Sequence, residues 1–534
     1  MLCVAWTSAV AQHDMRNMPG MEKQQAQPKP KAEPVPKPKA APHVHTPGME
    51  MKETPAPVAT PAAQESPEAA PAQTDADTGD AGQQPSPASG AGGAGTSDEI
   101  PTTDSLELMV MSESEMGIRV GAHKSNTLNM SQMGSGTAWQ PGTTPMSMYF
   151  KYARGWLFFL HGEAKLGVNA QGGPRGVTKF ESQNWIMPMA FRRVGPGTIQ
   201  LRSMFSLEPF TFSPGGSPQL FQTGESYRGR PLVDKQHPHD LFMELSATYT
   251  MPVGEHATWF AYAGFPGEPA LGPVAFMHRW SASENPSAPL AHHLQDSTHI
   301  AFGVFTTGFT YRWFKLEGSV FNGREPDENR YDFEFNPWNS RSARLSFAPN
   351  DNWSMQISHG LLKNPEALAP GDIRRTTASI SYNKNFARGN WSSSLIWGRN
   401  HGSHEGERFN TNGYTAESTV NFKDLNYVYT RLELVDKNEL LEHEELARFG
   451  IVSHHPSFRI GAYTLGAARE IWNTETLSVA LGGDFTFYSV PPVLAELYGS
   501  NPTSYKLFIR LRPGKMTMGG HGGMHKMAGD AGQP

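Results

Sequence analysis

Side chains able to bind transition metals recur along this chain at uneven density. The stretch "DKQHPHDLF" sets His237 and His239 on either side of Pro238, with Asp240 next. Proline fixes the local backbone, and residues two apart in an extended chain point to one side. Further on, "FMHRW" supplies His278, and "APLAHHLQDSTH" supplies His292, His293, Asp296 and His299. Imidazoles with carboxylates nearby build Zn or Cu(II) centres. No compact structural-zinc spacing is present, and the alternative is a polar interior that happens to hold histidine.

The second kind of donor lies near the ends. "HDMRNMPGM" spaces Met15, Met18 and Met21 three apart, and "HVHTPGMEM" adds His43, His45, Met49 and Met51. "KMTMGGHGGMHKM" contains Met516, Met518, His521, Met524, His525 and Met527 among glycines. Thioether sulfur is soft and uncharged, so these stretches are expected to take Cu(I), whereas the central histidines suit Cu(II) or Zn. The alternative is that Met-rich tails are filler with no ligand role. No organic cofactor is expected.

These donors must be positioned by the 534 residues around them. Residues 1–11, "MLCVAWTSAVA", resemble the end of a secretory signal, with cleavage after Ala11 and a start that looks truncated. They hold Cys3, the single cysteine, so a mature chain would have no disulfide. Residues 12–104 run from the Met/His stretch into "QPKPKAEPVPKPKAAP" and similar Pro/Ala repeats, which bury too little apolar surface to fold. Residues 105–513 are the expected folded part, and 514–534 an unfolded Met/His/Gly tail. A formal net charge of -6, with no basic patch among exposed aromatics, argues against nucleic acid as a partner.

The folded part reads as strand after strand. In "FFLHGEAKLGVNA", Phe158, Leu160, Ala164, Leu166 and Val168 alternate with His161, Glu163, Lys165 and Asn169. In "LSVALGGDFTF", Leu477, Val479, Leu481, Phe485 and Phe487 alternate with Ser478, Ala480, Asp484 and Thr486. Successive side chains of a strand face opposite ways, so each run has one apolar and one polar face. No segment offers the ~18 apolar residues of a spanning helix, but a closed barrel needs only alternate apolar residues. Short turns such as "RVGPGT" and "NFARGN" alternate with long intervals at 264–297, 322–339 and 400–411. That pattern predicts an all-β fold, a transmembrane antiparallel β-barrel of roughly 14–16 strands with "YKLFIRL" closing it. Trp156, Trp313, Trp391, Tyr427, Tyr488 and Tyr505 are expected in an interfacial girdle. The acidic run Glu325, Asp327, Glu328, Asp332, Glu334 in 321–334 could bind a hard cation, but its spacing does not match a Ca-binding loop, and it reads rather as a solvated loop.

Catalytic signatures fail. "GSHEG" only mimics a nucleophile elbow, "HEELA" lacks the second His of a zinc-protease helix, and no phosphate-binding loop occurs, so no enzyme is expected. On "MRNMPGM", "HVHTPGMEM" and "MGGHGGMHKM", the chain resembles outer-membrane proteins of the copper-resistance B type. On its His-Pro-His-Asp stretch it is similar to barrels that accompany metal-efflux systems. The resemblance implies copper or other heavy-metal handling at the outer membrane of a Gram-negative bacterium, by sequestration, buffering or export. Outer-membrane lipid, metal ions and periplasmic efflux components would be the partners, with both tails periplasmic. The alternatives are a porin-like or general transport barrel without a metal role, and a secreted β-rich adhesin.

Overall fold

The computed structural model describes residues 108–111, 116–121, 126–404, 406–453 and 455–514. The expected signal, the linker and the donors from Met15 to Met51 and from Met516 to Met527 lie outside them.

Sixteen long strands form a closed antiparallel barrel. They are β1 Trp156–Gln171, β2 Thr178–Val194, β3 Gly197–Phe205, β4 Phe242–Pro252, β5 Ala257–Gly264, β6 Val304–Tyr311, β7 Phe314–Phe321 and β8 Ser340–Phe347. The rest are β9 Trp353–Leu362, β10 Ile373–Phe386, β11 Gly389–His404, β12 Glu407–Phe422, β13 Asn426–Lys437, β14 Phe458–Asn473, β15 Ser478–Ser489 and β16 Thr503–Arg512. Each pairs with the next, and β16 returns to β1 with Ser504 opposite Gln171 and Leu511 opposite Ala164. The short strand Met148–Ala153 covers the remaining edge of β1. Closure leaves no unpaired edge among the long strands, which is what hydrocarbon requires.

The wall follows the period of two read from the sequence. Along β15, Leu481 is 49 % exposed on the outside while Ser478, Ala480, Asp484 and Thr486 are buried inside. Leu316, Leu345, Ile357, Leu395, Leu432, Leu465 and Leu507 continue the apolar outer surface. Trp313, Trp391 and Tyr505 stand on it, as expected of a girdle. Tyr427 and Tyr488 do not: both are buried inward, where their hydroxyls bond Glu470 (2.8 Å) and Ser504 (3.1 Å). Position near a strand end was the only ground for including them, and their parity puts them on the lumenal face.

Connections at one end are short: 195–196, 253–256, 312–313, 348–352, 387–388, 423–425 and 474–477. At the other end they include 206–241, 265–303, 322–339 and 438–457, whereas 400–404 and 407–411, expected in a long interval, continue β11 and β12 because their residues pair across the two strands. The start of β1 and the end of β16 both lie at the short-turn end.

Two long connections fold inward and fill the lumen. Segment 265–303 is buried along almost its whole length. It is tied to the wall by Arg344 Nη1 to Gly272 O (2.9 Å), Thr419 Oγ1 to Ser281 O (2.8 Å), Arg375 Nη2 to His293 O (2.7 Å) and Arg431 Nη1 to Ser287 O (2.7 Å). Its Arg279 donates to Glu417 of β12 (2.8 Å), and its Glu284 pairs with Arg510 and Arg512 of β16. A peptide crossing a polar lumen must satisfy its carbonyls, and the inward arginines do so. Segment 206–241 adds a lumenal hairpin, Ser217–Tyr227 with Arg230–Gln236. Gln219 and Gln222 of that hairpin bond the carbonyls of Ala288 (2.7 Å) and Pro289 (3.1 Å).

Candidate metal centre

The five central histidines come from these two inward segments. His237 and His239 leave the hairpin just before β4. His292 and His293 open the single turn His292–Gln295, and His299 ends the next turn, Ser297–His299. The rings form a contiguous series: His293 to His237 is 5.4 Å between centroids, His293 to His292 5.2 Å, His292 to His299 5.1 Å, and His299 to His239 5.3 Å.

Every one of these rings is held through Nδ1. His292 Nδ1 donates to Asp296 Oδ1 (2.7 Å), and His299 Nδ1 to the Asp296 carbonyl (2.7 Å). His239 Nδ1 donates to Glu208 Oε2 (2.8 Å), and His293 Nδ1 to Glu325 Oε1 (3.2 Å). His237 Nδ1 lies 3.3 Å from Glu225 Oε1 and 3.3 Å from the Pro238 carbonyl. All these partners are acceptors, so Nδ1 carries the proton and Nε2 the lone pair. In all five residues Nε2 is buried with no hydrogen-bond partner in the protein. One orphaned buried acceptor costs about 1–3 kcal/mol. Five side by side, each aimed by a second group, form the arrangement in which histidines bind metal.

A ring nitrogen from each of His237, His292 and His293 lies within 4.8 Å of the other two. Nitrogens around a tetrahedral ion stand roughly 3.3 Å apart at metal–N distances near 2.0–2.1 Å, so small rotations of the rings would close the set. Phe276 packs on His239, His292 and His299 and keeps water from that side. Burial holds His237 and His299 well below the ordinary imidazole range. It takes His292 down to about 4 against the pull of Asp296. These three rings are therefore neutral at neutral pH, the form a metal requires.

The other expected site residues are placed differently. His239 and His299 adjoin the triad without entering it. Asp240 faces Arg330 Nη1 (3.5 Å) rather than an imidazole, and burial raises its carboxyl to about 6. His278 is separate: its Nε2 lies 3.4 Å from Met204 Sδ, between Trp185 and His161. The reading of 321–334 as solvated is corrected at Glu325, whose side chain is 8 % exposed and turned onto His293. Arg330 likewise folds inward onto Glu225. Glu208, Glu225 and Glu366 carry no spacing signal and were not anticipated. Only Asp296, inside the His-rich stretch, was legible.

No family model matches the chain, and no curated protein matches its sequence. Among solved structures the chain is similar to OmpT of Vibrio cholerae, described as outer-membrane expressed, at 6 % identity over 68 % of this chain and 100 % of that one, TM-score 0.38. It is similar to an anion-selective porin from Comamonas acidovorans at 11 % identity, over 66 % of this chain and 99 % of that one, TM-score 0.39. A third is OmpF of Salmonella typhi in complex with daunomycin, 10 % identical over 68 % and 100 %, TM-score 0.40. Identities and scores this low carry no function across.

Proposed function

We propose that the chain is an outer-membrane barrel of a Gram-negative bacterium that handles a transition-metal ion, bound in the lumen by His237, His292 and His293. The observation that carries this reading is the set of buried, partnerless Nε2 atoms, each on a ring fixed through Nδ1. Three imidazoles with carboxylates behind them suit Zn2+ or Cu2+. A lumen crossed by segment 265–303 suits an open general-diffusion pore poorly. The apolar outer surface and alternating connection lengths support the outer membrane as the location.

Because β1 starts and β16 ends at the short-turn end, both tails would emerge on the periplasmic side. There their Met and His residues would exchange Cu(I) with periplasmic components of an efflux system. The full chain, folded in detergent and showing heat-modifiable mobility, should bind one Zn2+ or Cu2+ tightly against a competing chelator. Absence of binding, or unchanged binding after His237→Ala and His293→Ala, defeats the centre. For the tails, a peptide of residues 515–528 should bind Cu(I). Loss of that binding when only its histidines are replaced defeats the thioether role.

A further inference from the structure

We infer that a second cation site, formed by His293, Glu325 and Glu366, lies beside the trihistidine set and receives the ion first from the long-loop end. This rests on the metal-handling reading. One ligand atom from each of the three residues lies within 4.8 Å of the others. The three come from different connections of the barrel: 265–303, 322–339 and 363–372. His293 belongs to both sets.

The independent observation is on Glu325. Its Oε1 accepts from His293 Nδ1 (3.2 Å) and Ser297 Oγ (3.3 Å), while its buried Oε2 has no partner. A carboxylate oxygen left so, in a side chain only 8 % exposed, is free to bind a cation. Glu366 approaches the same point from 363–372, half-buried. A cavity of about 70 Å³ runs from His293 past Glu366 and Glu439. It shares Glu366, His404, Glu439 and His455 with a larger one of about 470 Å³, which reaches the exposed residues Glu442 and His443. The larger cavity therefore opens to solvent at the long-loop end, and Glu225, Glu366, Glu439, Glu442 and Glu444 outnumber Arg230 along its wall. Such walls concentrate cations.

The chemistry differs between the two stops. Two carboxylates and one imidazole hold a divalent ion more loosely and accept a wider range than three imidazoles do. An ion stripped of water by Glu325 and Glu366 would already touch His293, and exchange of the carboxylates for His237 and His292 completes the transfer. The shared histidine makes the two sites alternatives for one ion rather than a pair filled together.

Co2+ tests this, because its visible absorption is strong in a nitrogen-rich four-coordinate site and weak in an oxygen-rich six-coordinate one. The full-length protein in detergent should take up one Co2+ with strong absorption. His292→Ala should retain one Co2+, at least tenfold weaker, with weak absorption, and adding Glu366→Gln to it should abolish that binding. Heat-modifiable mobility confirms that each variant is folded. A folded His292→Ala variant that binds nothing, or a double variant that binds as the single one does, overturns the second site alone. A native protein that binds no Co2+ removes the trihistidine centre, and the second site with it.

Discussion

The two halves of the lumen share one wall and differ in what fills it. Toward the long-loop end stand imidazoles and carboxylates. Against β1 to β4 the interior is instead a methionine-rich cluster in which Met130, Met148, Met187, Met189, Met204 and Met243 pack with Phe159 and Phe191. The first half is built from oriented groups: every ring of the triad has a second partner, and rotation of one would break a hydrogen bond. The second half is built from flexible thioethers, which fill irregular gaps and tolerate rearrangement. Selectivity for a geometry belongs to the fixed half, and softness to the flexible one. They meet at His278, whose Nε2 rests 3.4 Å from Met204 Sδ.

The largest break in this contrast should come from the pin that holds the histidine half in place. Glu417 of β12 receives Arg279 from segment 265–303 at 2.8 Å and Arg431 from the wall at 2.9 Å, and it is wholly buried. Replacing a partner in a buried ion pair strands the remaining charge, at about 3–5 kcal/mol. Glu417→Ala, which strands Arg431 and leaves Arg279 only Asp296 (2.9 Å), should destabilise the fold by about that much in urea titration. It should loosen 265–303 while leaving the methionine cluster packed, so hydrogen exchange should rise in that segment first. A uniform rise through both halves would show that they do not unfold separately.

A smaller effect, confined to binding, separates the halves directly. His292→Ala removes a proposed ligand, and groups that merely support ligands are worth about 10–100-fold in affinity. Zn2+ affinity should therefore fall by about 100-fold or more. Met204→Leu, which keeps the volume and deletes only the sulfur, should change it less than about threefold. Equal losses would mean that the thioether half takes part in Zn2+ binding and that the division by donor type is wrong.

The contrast also marks what could be read without a structure. The wall was legible, because a period of two is local and Leu481 or Asp484 declares its face by parity alone. The closing strand was legible for the same reason: "YKLFIRL" alternates whether or not its partner is known. The histidine half was legible as composition but not as a set. Nothing local says that His237 joins His292 and His293 while His239 faces His299, since the choice depends on how two inward segments pack. Glu325 was hidden more deeply, in a run whose other acids, Asp327 and Glu328, are exposed. The methionine half was not seen at all, because single methionines in many strands leave no pattern until the barrel closes.

The smallest predicted effect probes how rigid the histidine half is without touching a ligand. Gly224, in the lumenal hairpin, has φ +121°, and a methyl group there would lie 2.3 Å from His293 Cε1 and 2.4 Å from its Nε2. Gly224→Ala should push that ring off the triad and weaken Zn2+ binding by about 10-fold, the lower end of what disturbing a ligand's support costs. Alanine at positive φ also strains the backbone by about 1–2 kcal/mol, which could mislead. Gly229, in the same hairpin, supplies the control: its φ is +73° and a methyl group there would meet nothing within 4 Å. Gly229→Ala should thus lower stability by a similar amount and leave Zn2+ affinity alone. If both variants bind Zn2+ as the native protein does, the His293 ring has room to move and return. The fixed half would then be as adaptable as the methionine half.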